Sequence, residues 1–301
     1  MTTHHLVHRA ADAVWSAAPG PLSGSRGLLA WSVVHSSTHA VHTGFALVRL
    51  EPGGSLTSHV HSYEESLYVL DGEVVVQTRG EAVQLGPGDY GWIPVGVPHT
   101  LRNVGDTEAR WARLSAPTPR TDHDLDTYVV PELAVTEPFA LDVRDPRTRR
   151  YGHIDPENMD PAQQTQDRLA VSASMRTALL VYSGITVKMM IDSDLGAQLS
   201  TMFMVQYEPT GLIGGHDHPF EETYLILDGS VEATFDGASY VLGPGDVGWA
   251  GVGCVHSFRP AGGAPVRWLE TQAPQPPGRH SYRFARDWDY LQQRLETGGR
   301  P

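Results

Sequence analysis

The sequence predicts an all-β protein built as two copies of one unit in tandem. A set of residues recurs at a fixed offset. His59, His61, Glu65, Gly72, Gly88 and His99 match His216, His218, Glu222, Gly229, Gly245 and His256, and each pair differs by 157 (216 − 59, 218 − 61, 222 − 65, 229 − 72, 245 − 88, 256 − 99). Internal repetition at a constant period marks a duplicated domain. Short strand-like runs also abound, among them Gly44–Leu50, Ser66–Leu70, Val74–Thr78, Met202–Gln206 and Thr223–Leu227. The 301 residues include 31 Gly, 22 Pro and 40% hydrophobic residues, which suits many short strands, frequent turns and an ample core.

The elements follow in order. Residues 1–39 form a leader with a turn at Pro19–Gly24 and a strand-like stretch at Leu28–Val34, of the kind that covers an open sheet edge. Residues 40–117 form the first unit. Residues 118–196 link the units through the polar run Arg120–Asp126 and the turn-rich Asp155–Pro161. Within them, Ala178–Tyr182 and Ile185–Ile191 read as opening strands of the second unit. Residues 197–274 form that unit. The tail, 275–301, carries Trp288, Leu291 and Leu295 at i, i+3 and i+7, which predicts one short amphipathic helix.

The repeated residues have the spacing of a metal site. Side chains alternate faces along a strand, so His59 and His61 point the same way, and Glu65 lies an even number of residues further on. The Gly86-Pro87-Gly88 turn and the Pro94–Pro98 tract deliver His99 from a separate strand. Three imidazoles and a carboxylate around one point suit Fe or Mn, and also Ni, Cu or Zn, with about two positions left for water or substrate on an octahedral ion. A single His-x-His pair is weak evidence, because surface strands carry histidines freely. Two full sets in register predict two divalent transition metals per chain: one on His59, His61, Glu65 and His99, the other on His216, His218, Glu222 and His256.

The first copy, from Gly53 through His59, His61, Glu65 and Gly72 and then Gly88, Pro94, Gly96, His99 and Asn103, resembles the two motifs of the cupin superfamily position for position. The second copy resembles the same pair with three departures: Thr210 for Gly, Gly251 for Pro and Pro260 for Asn. None of these is a ligand. The resemblance implies a bicupin: two double-stranded β-barrels of jelly-roll type, each with a metal in its mouth. The chain is broadly similar to bicupin dioxygenases, and its C-terminal half distantly to ureidoglycine aminohydrolases. Cupins host many chemistries, so function taken from the fold is analogy.

Composition excludes several partners. The net charge of −13, with no long basic tract, argues against nucleic acid and anionic membranes. No signal-peptide core and no apolar run of about 20 residues is present, and Cys254 is the single cysteine, so a cytoplasmic protein is expected. Self-association into a homo-oligomer is compatible with all of this. Cys254 lies near the second metal, but a buried inert thiol is the weightier reading. His4, His5, His8, His35, His39 and His42 crowd the leader without forming a tight cluster in sequence.

The halves also differ. Arg113 is replaced by Glu270 and Ser115 by Gln272, on the strand face of Trp111 and Trp268. That face is either a barrel interior, giving pockets of opposite charge, or a solvated surface. Tyr63 and Phe220 follow the His-x-His pairs and are candidate pocket walls, whereas Met202 and Met204 read as core. Arg113, Glu270, Gln272, Tyr63 and Phe220 are thus the candidate substrate contacts, and Glu65 and Glu222 the candidate catalytic bases. The polar pair Glu270 and Gln272 inclines the choice of working centre toward the C-terminal half. The expected function is a metal-dependent dioxygenase acting on a small organic acid or aromatic compound. The alternatives are a non-redox hydrolase or aminohydrolase, decarboxylase or isomerase, and a non-catalytic small-molecule binder.

Overall fold

A computed structural model of the chain describes residues 4–142, 145–163, 177–180, 183–275 and 283–284. The helix expected through Trp288, Leu291 and Leu295 lies outside them. The structure is almost all β, in two tandem units of like topology. Every helix among the described residues is a short 3-10 turn, and none is long and apolar enough to cross a membrane. The first unit forms a 13-stranded sheet, and the second forms sheets of seven and five strands.

Corresponding strands pair in corresponding registers. Ala109–Ala116 lies between Gly44–Ser55 and Glu64–Asp71, as Val266–Ala273 lies between Thr201–Tyr207 and Glu221–Asp228. Gly72 and Gly229 close the turns after the two glutamate strands. Each has φ near +70° (67° and 72°), and an added Cβ would come within 2.4 Å of the Glu108 or Pro265 carbonyl. The framework glycines of the repeat are therefore backbone requirements.

Three apolar clusters follow from the alternation. Trp111, Val48, Val74 and Leu85 fill the first barrel, and Trp268, Val205, Val231 and Leu242 the second. The opposite faces pack on each other: Leu47, Trp92 and Ala112 of one unit share a cluster with Met204, Trp249 and Leu269 of the other. Met202 and Met204 sit in this cluster, away from either site.

The leader is shared between the units. Arg26–Val34 pairs with Gly44–Ser55 in the first, but His5–His8 crosses to the second and lies antiparallel on Val247–Ala250. Tyr151–His153, from the linker, covers the equivalent strand Asp89–Ile93 in the first unit. Gly251 explains one departure from the cupin pattern: its N–H donates to the His4 carbonyl at 2.7 Å, a bond proline could not make.

Candidate metal centres

Strand register assembles each centre. His59 stands opposite His99 across one strand pair, and His216 opposite His256 across the other. His61 and His218 share their partners' faces by alternation. Donor atoms of His59, His61 and His99 all lie within 4.8 Å of one another, as do those of His216, His218 and His256. Glu65 reaches His61 Nε2 at 3.2 Å, and Glu222 reaches His218 and His256 Nε2 at 3.3 and 3.2 Å. All eight residues are buried.

The hydrogen bonds settle which ring nitrogens face inward. His59 Nδ1 meets the Thr57 carbonyl at 2.6 Å, and His99 Nδ1 the Val97 carbonyl at 2.9 Å. His216 and His256 meet the Gly214 and Cys254 carbonyls in the same way, at 2.8 and 2.9 Å. A carbonyl only accepts, so each Nδ1 carries the proton and each Nε2 presents a lone pair. Thr127 does this for His61. Its hydroxyl donates to the Leu125 carbonyl and so accepts from His61 Nδ1 at 2.9 Å.

These lone pairs converge on one point. His59 and His61 Nε2 are 3.1 Å apart, and His99 Nε2 is buried without a partner. Burial chiefly holds His59 at about 3, His99 at about 4 and His216 at about 3, so these rings are neutral at pH 7. Burial alone would raise Glu65, but the hydrogen bond from His61 and the charge of Arg113 hold it below the usual carboxylate range. Three neutral imidazoles and a carboxylate are a donor set that a divalent cation takes, and oriented Nδ1–H groups are the usual support for such ligands. The donor set therefore fits a metal at both centres.

The surroundings differ. Tyr63 stacks on His61 (4.1 Å between centroids) and Phe220 on His218 (4.6 Å), so each is a wall of its site. Glu270 and Gln272 face the barrel interior, only 8% and 4% exposed, which excludes a solvated face. Gln272 stands opposite Glu222 and donates to it at 2.5 Å; Tyr224 donates to its other oxygen at 2.5 Å. Trp268 donates to Glu270. Burial, then the charge of Glu222, pushes Glu270 well above the usual range, so it is held as a neutral acid. Tyr224 and Thr127 escaped the sequence reading. Tyr224 was detectable as a divergence from Leu67; Thr127 lies in the linker, outside the repeat.

Arg113 instead lines a cavity of about 280 Å³ in the first unit. Leu22, Leu28, Val34, Phe45 and Val48 make its apolar wall, and Tyr63, Thr127 and Ser115 its border with the first centre. A larger cavity of about 490 Å³ lies between the units, lined by none of the histidines of either set, with its Arg110 paired to Asp71.

The chain belongs to the cupin family: the cupin domain matches residues 46–116 and 203–271. It is 34% identical over 107 residues to tetracenomycin polyketide synthase protein TcmJ of Streptomyces glaucescens, covering 34% of this chain and 71% of that protein. Among solved structures, a glyoxylate-induced protein of Pseudomonas aeruginosa superposes with TM-score 0.65 at 18% identity, covering 93% of each chain. Oxalate decarboxylase of Bacillus subtilis, studied for its Mn(II) centers, superposes with TM-score 0.63 at 15% identity, covering 97% of this chain and 84% of that one. At these identities the structural likenesses show the fold.

Proposed function

We propose that this bicupin is a metal-dependent enzyme that binds a small carboxylic acid with an apolar or aromatic body at the first centre. Arg113 carries this reading: a guanidinium in an apolar cavity beside a buried metal-ligand set. The cavity excludes water and receives the apolar body, while the guanidinium pairs with the carboxylate in a medium that strengthens the pair. The second centre suits an anion less, because the buried acid Glu270 stands where the first has Arg113 and supplies no cation. This shifts the working centre from the C-terminal half, toward which Glu270 and Gln272 incline the sequence, to the N-terminal half.

A metal on His59, His61, Glu65 and His99 would polarise a substrate oxygen and stabilise developing negative charge. Glu65 lacks the counterparts of the Tyr224 and Gln272 bonds, since Leu67 and Ser115 stand there. It is freer to take a proton from the substrate carbon next to the carboxylate. Tyr63, stacked on His61 and held neutral by burial, offers its hydroxyl to the substrate. Non-redox carbon-acid chemistry, such as decarboxylation or isomerisation, draws support from the decarboxylase neighbours. The dioxygenase expectation gains none from them.

The test loads the protein with Mn(II) or Fe(II) and offers a panel of small aromatic and aliphatic acids. Carbon dioxide release or product isomerisation without oxygen uptake supports the reading. Stoichiometric oxygen uptake returns the dioxygenase, and activity on neutral or amine substrates alone removes the role of Arg113.

A further inference from the structure

Outside the two histidine centres, three donors of different chemistry meet at the rim of the second barrel. The leader strand sets His5 opposite Ala250. Its imidazole lies beside the Cys254 thiol and the Asp236 carboxylate, and one donor atom from each of the three lies within 4.8 Å of the others. His5 is 9% exposed. Its Nε2 meets the Tyr240 hydroxyl at 2.9 Å, but its Nδ1 is buried without a hydrogen-bond partner. Cys254 is free and fully buried. Asp236 is exposed, and one carboxylate oxygen is anchored by the Val255 N–H at 3.0 Å.

We propose that His5, Asp236 and Cys254 form a third divalent-metal site, with the nitrogen, oxygen and sulfur donors that zinc takes. A buried imidazole nitrogen without a partner is costly, and a cation bound there removes the cost. Thiolate and imidazole together favour zinc over the harder ions suited to the histidine–glutamate centres. The thiol gives up its proton when the ion binds. Asp236, open to solvent, provides the entry path, and three protein ligands leave a fourth position for water; Tyr240, on the far side of the ring at Nε2, holds the tautomer that frees Nδ1.

The site joins the fifth residue of the chain to the 254th. It holds the leader across the edge strand Val247–Ala250, where the His5–His8 ladder otherwise consists of one short strand pair. Closing so long a loop onto the folded barrel is a structural role. Cys254 also orients His256 through its carbonyl, so an ion there would steady a ligand of the second centre as well.

The sulfur makes the site separately visible. Metal-free protein is titrated with Co(II) and followed by absorbance. The expected result is three equivalents bound, with a near-ultraviolet thiolate-to-cobalt charge-transfer band that neither histidine–glutamate centre can produce. Cys254→Ser is expected to lose the band and one equivalent, keeping two. Asp236→Asn, at an exposed position that does not threaten the fold, and His5→Ala are expected to weaken the band's titration about tenfold or more. His61→Ala and His218→Ala are expected to leave the band in place. Saturation at two equivalents without a charge-transfer band overturns the proposal. So does a band that Asp236→Asn and His5→Ala leave unchanged, because Cys254 would then be binding cobalt without its partners.

Discussion

Glu64 and Glu221, equivalent at the same offset (221 − 64 = 157), each reach out of their own unit and close the same contact on the other. Glu64 accepts from the N–H groups of Gln198 and Leu199 at 2.7 and 2.9 Å and from the Ser200 hydroxyl at 3.3 Å. Glu221 accepts from the N–H groups of Val41, His42 and Thr43 at 2.8, 3.1 and 2.9 Å and from the Thr43 hydroxyl at 2.8 Å. Each carboxylate immediately precedes the glutamate that meets the histidines of its unit, so the clasp between units and the two centres share a strand end. Both are buried, which makes their bonds hard to replace with water.

Breaking the clasp should therefore destabilise the whole molecule. Glu64→Ala and Glu221→Ala are each expected to cost about 2–4 kcal/mol, since each leaves several buried donors unpaired. Denaturant melts check this. A loss below about 0.5 kcal/mol in both would mean that the apolar cluster between the units suffices alone.

Metal removal should separate the centres. His61→Ala is expected to lose metal from the first centre only and His218→Ala from the second only, as read by elemental analysis. Chelation should lower Tm and re-addition restore it; an ion at 100 times its Kd stabilises the folded state by about 2.7 kcal/mol per site. Acid should weaken binding, because the ligands must be deprotonated.

His153 gives a pH signature. Hydrogen bonds to Asp89 at 2.7 Å and to Asp155 at 3.1 Å raise it to about 9, against the partial burial that would lower it. A raised pKa stabilises fully below the unfolded value near 6.5 and loses that contribution as pH rises through about 9. Tm should therefore fall between pH 6.5 and 9.5 more in the native protein than in His153→Gln. The difference should be modest, because the side chain is 39% exposed and solvent screens the pair. Identical profiles would show that the linker strand is held by its backbone alone.

The duplication and the convergence of each histidine triad with its glutamate were legible because strand alternation fixes which side chains share a face. The direction of a shared face was not: period 2 placed Arg113 beside Trp111 and Glu270 beside Trp268 without saying which side was interior. The crossing of His5–His8 to the second unit was hidden because it rests on main-chain pairing, which leaves no side-chain period. The same holds for Thr127, which reaches His61 because Thr127–Val129 pairs with His59–His61. His5 is the sharpest instance. Its leader histidines form no cluster in sequence, yet the fold carries one of them to Cys254.

Recognition of a carboxylate by Arg113 at the first centre is open to direct measurement. Calorimetric titration of Mn(II)-loaded protein with salicylate and with its neutral amide tests it most directly. The expected result is saturable binding of the acid, little of the amide, and a loss of roughly tenfold to a hundredfold for the acid in Arg113→Gln. Glu270→Gln, in the second unit, should leave that affinity unchanged. Equal binding of acid and amide, or an Arg113→Gln variant that binds the acid as the native protein does, would remove Arg113 from carboxylate recognition.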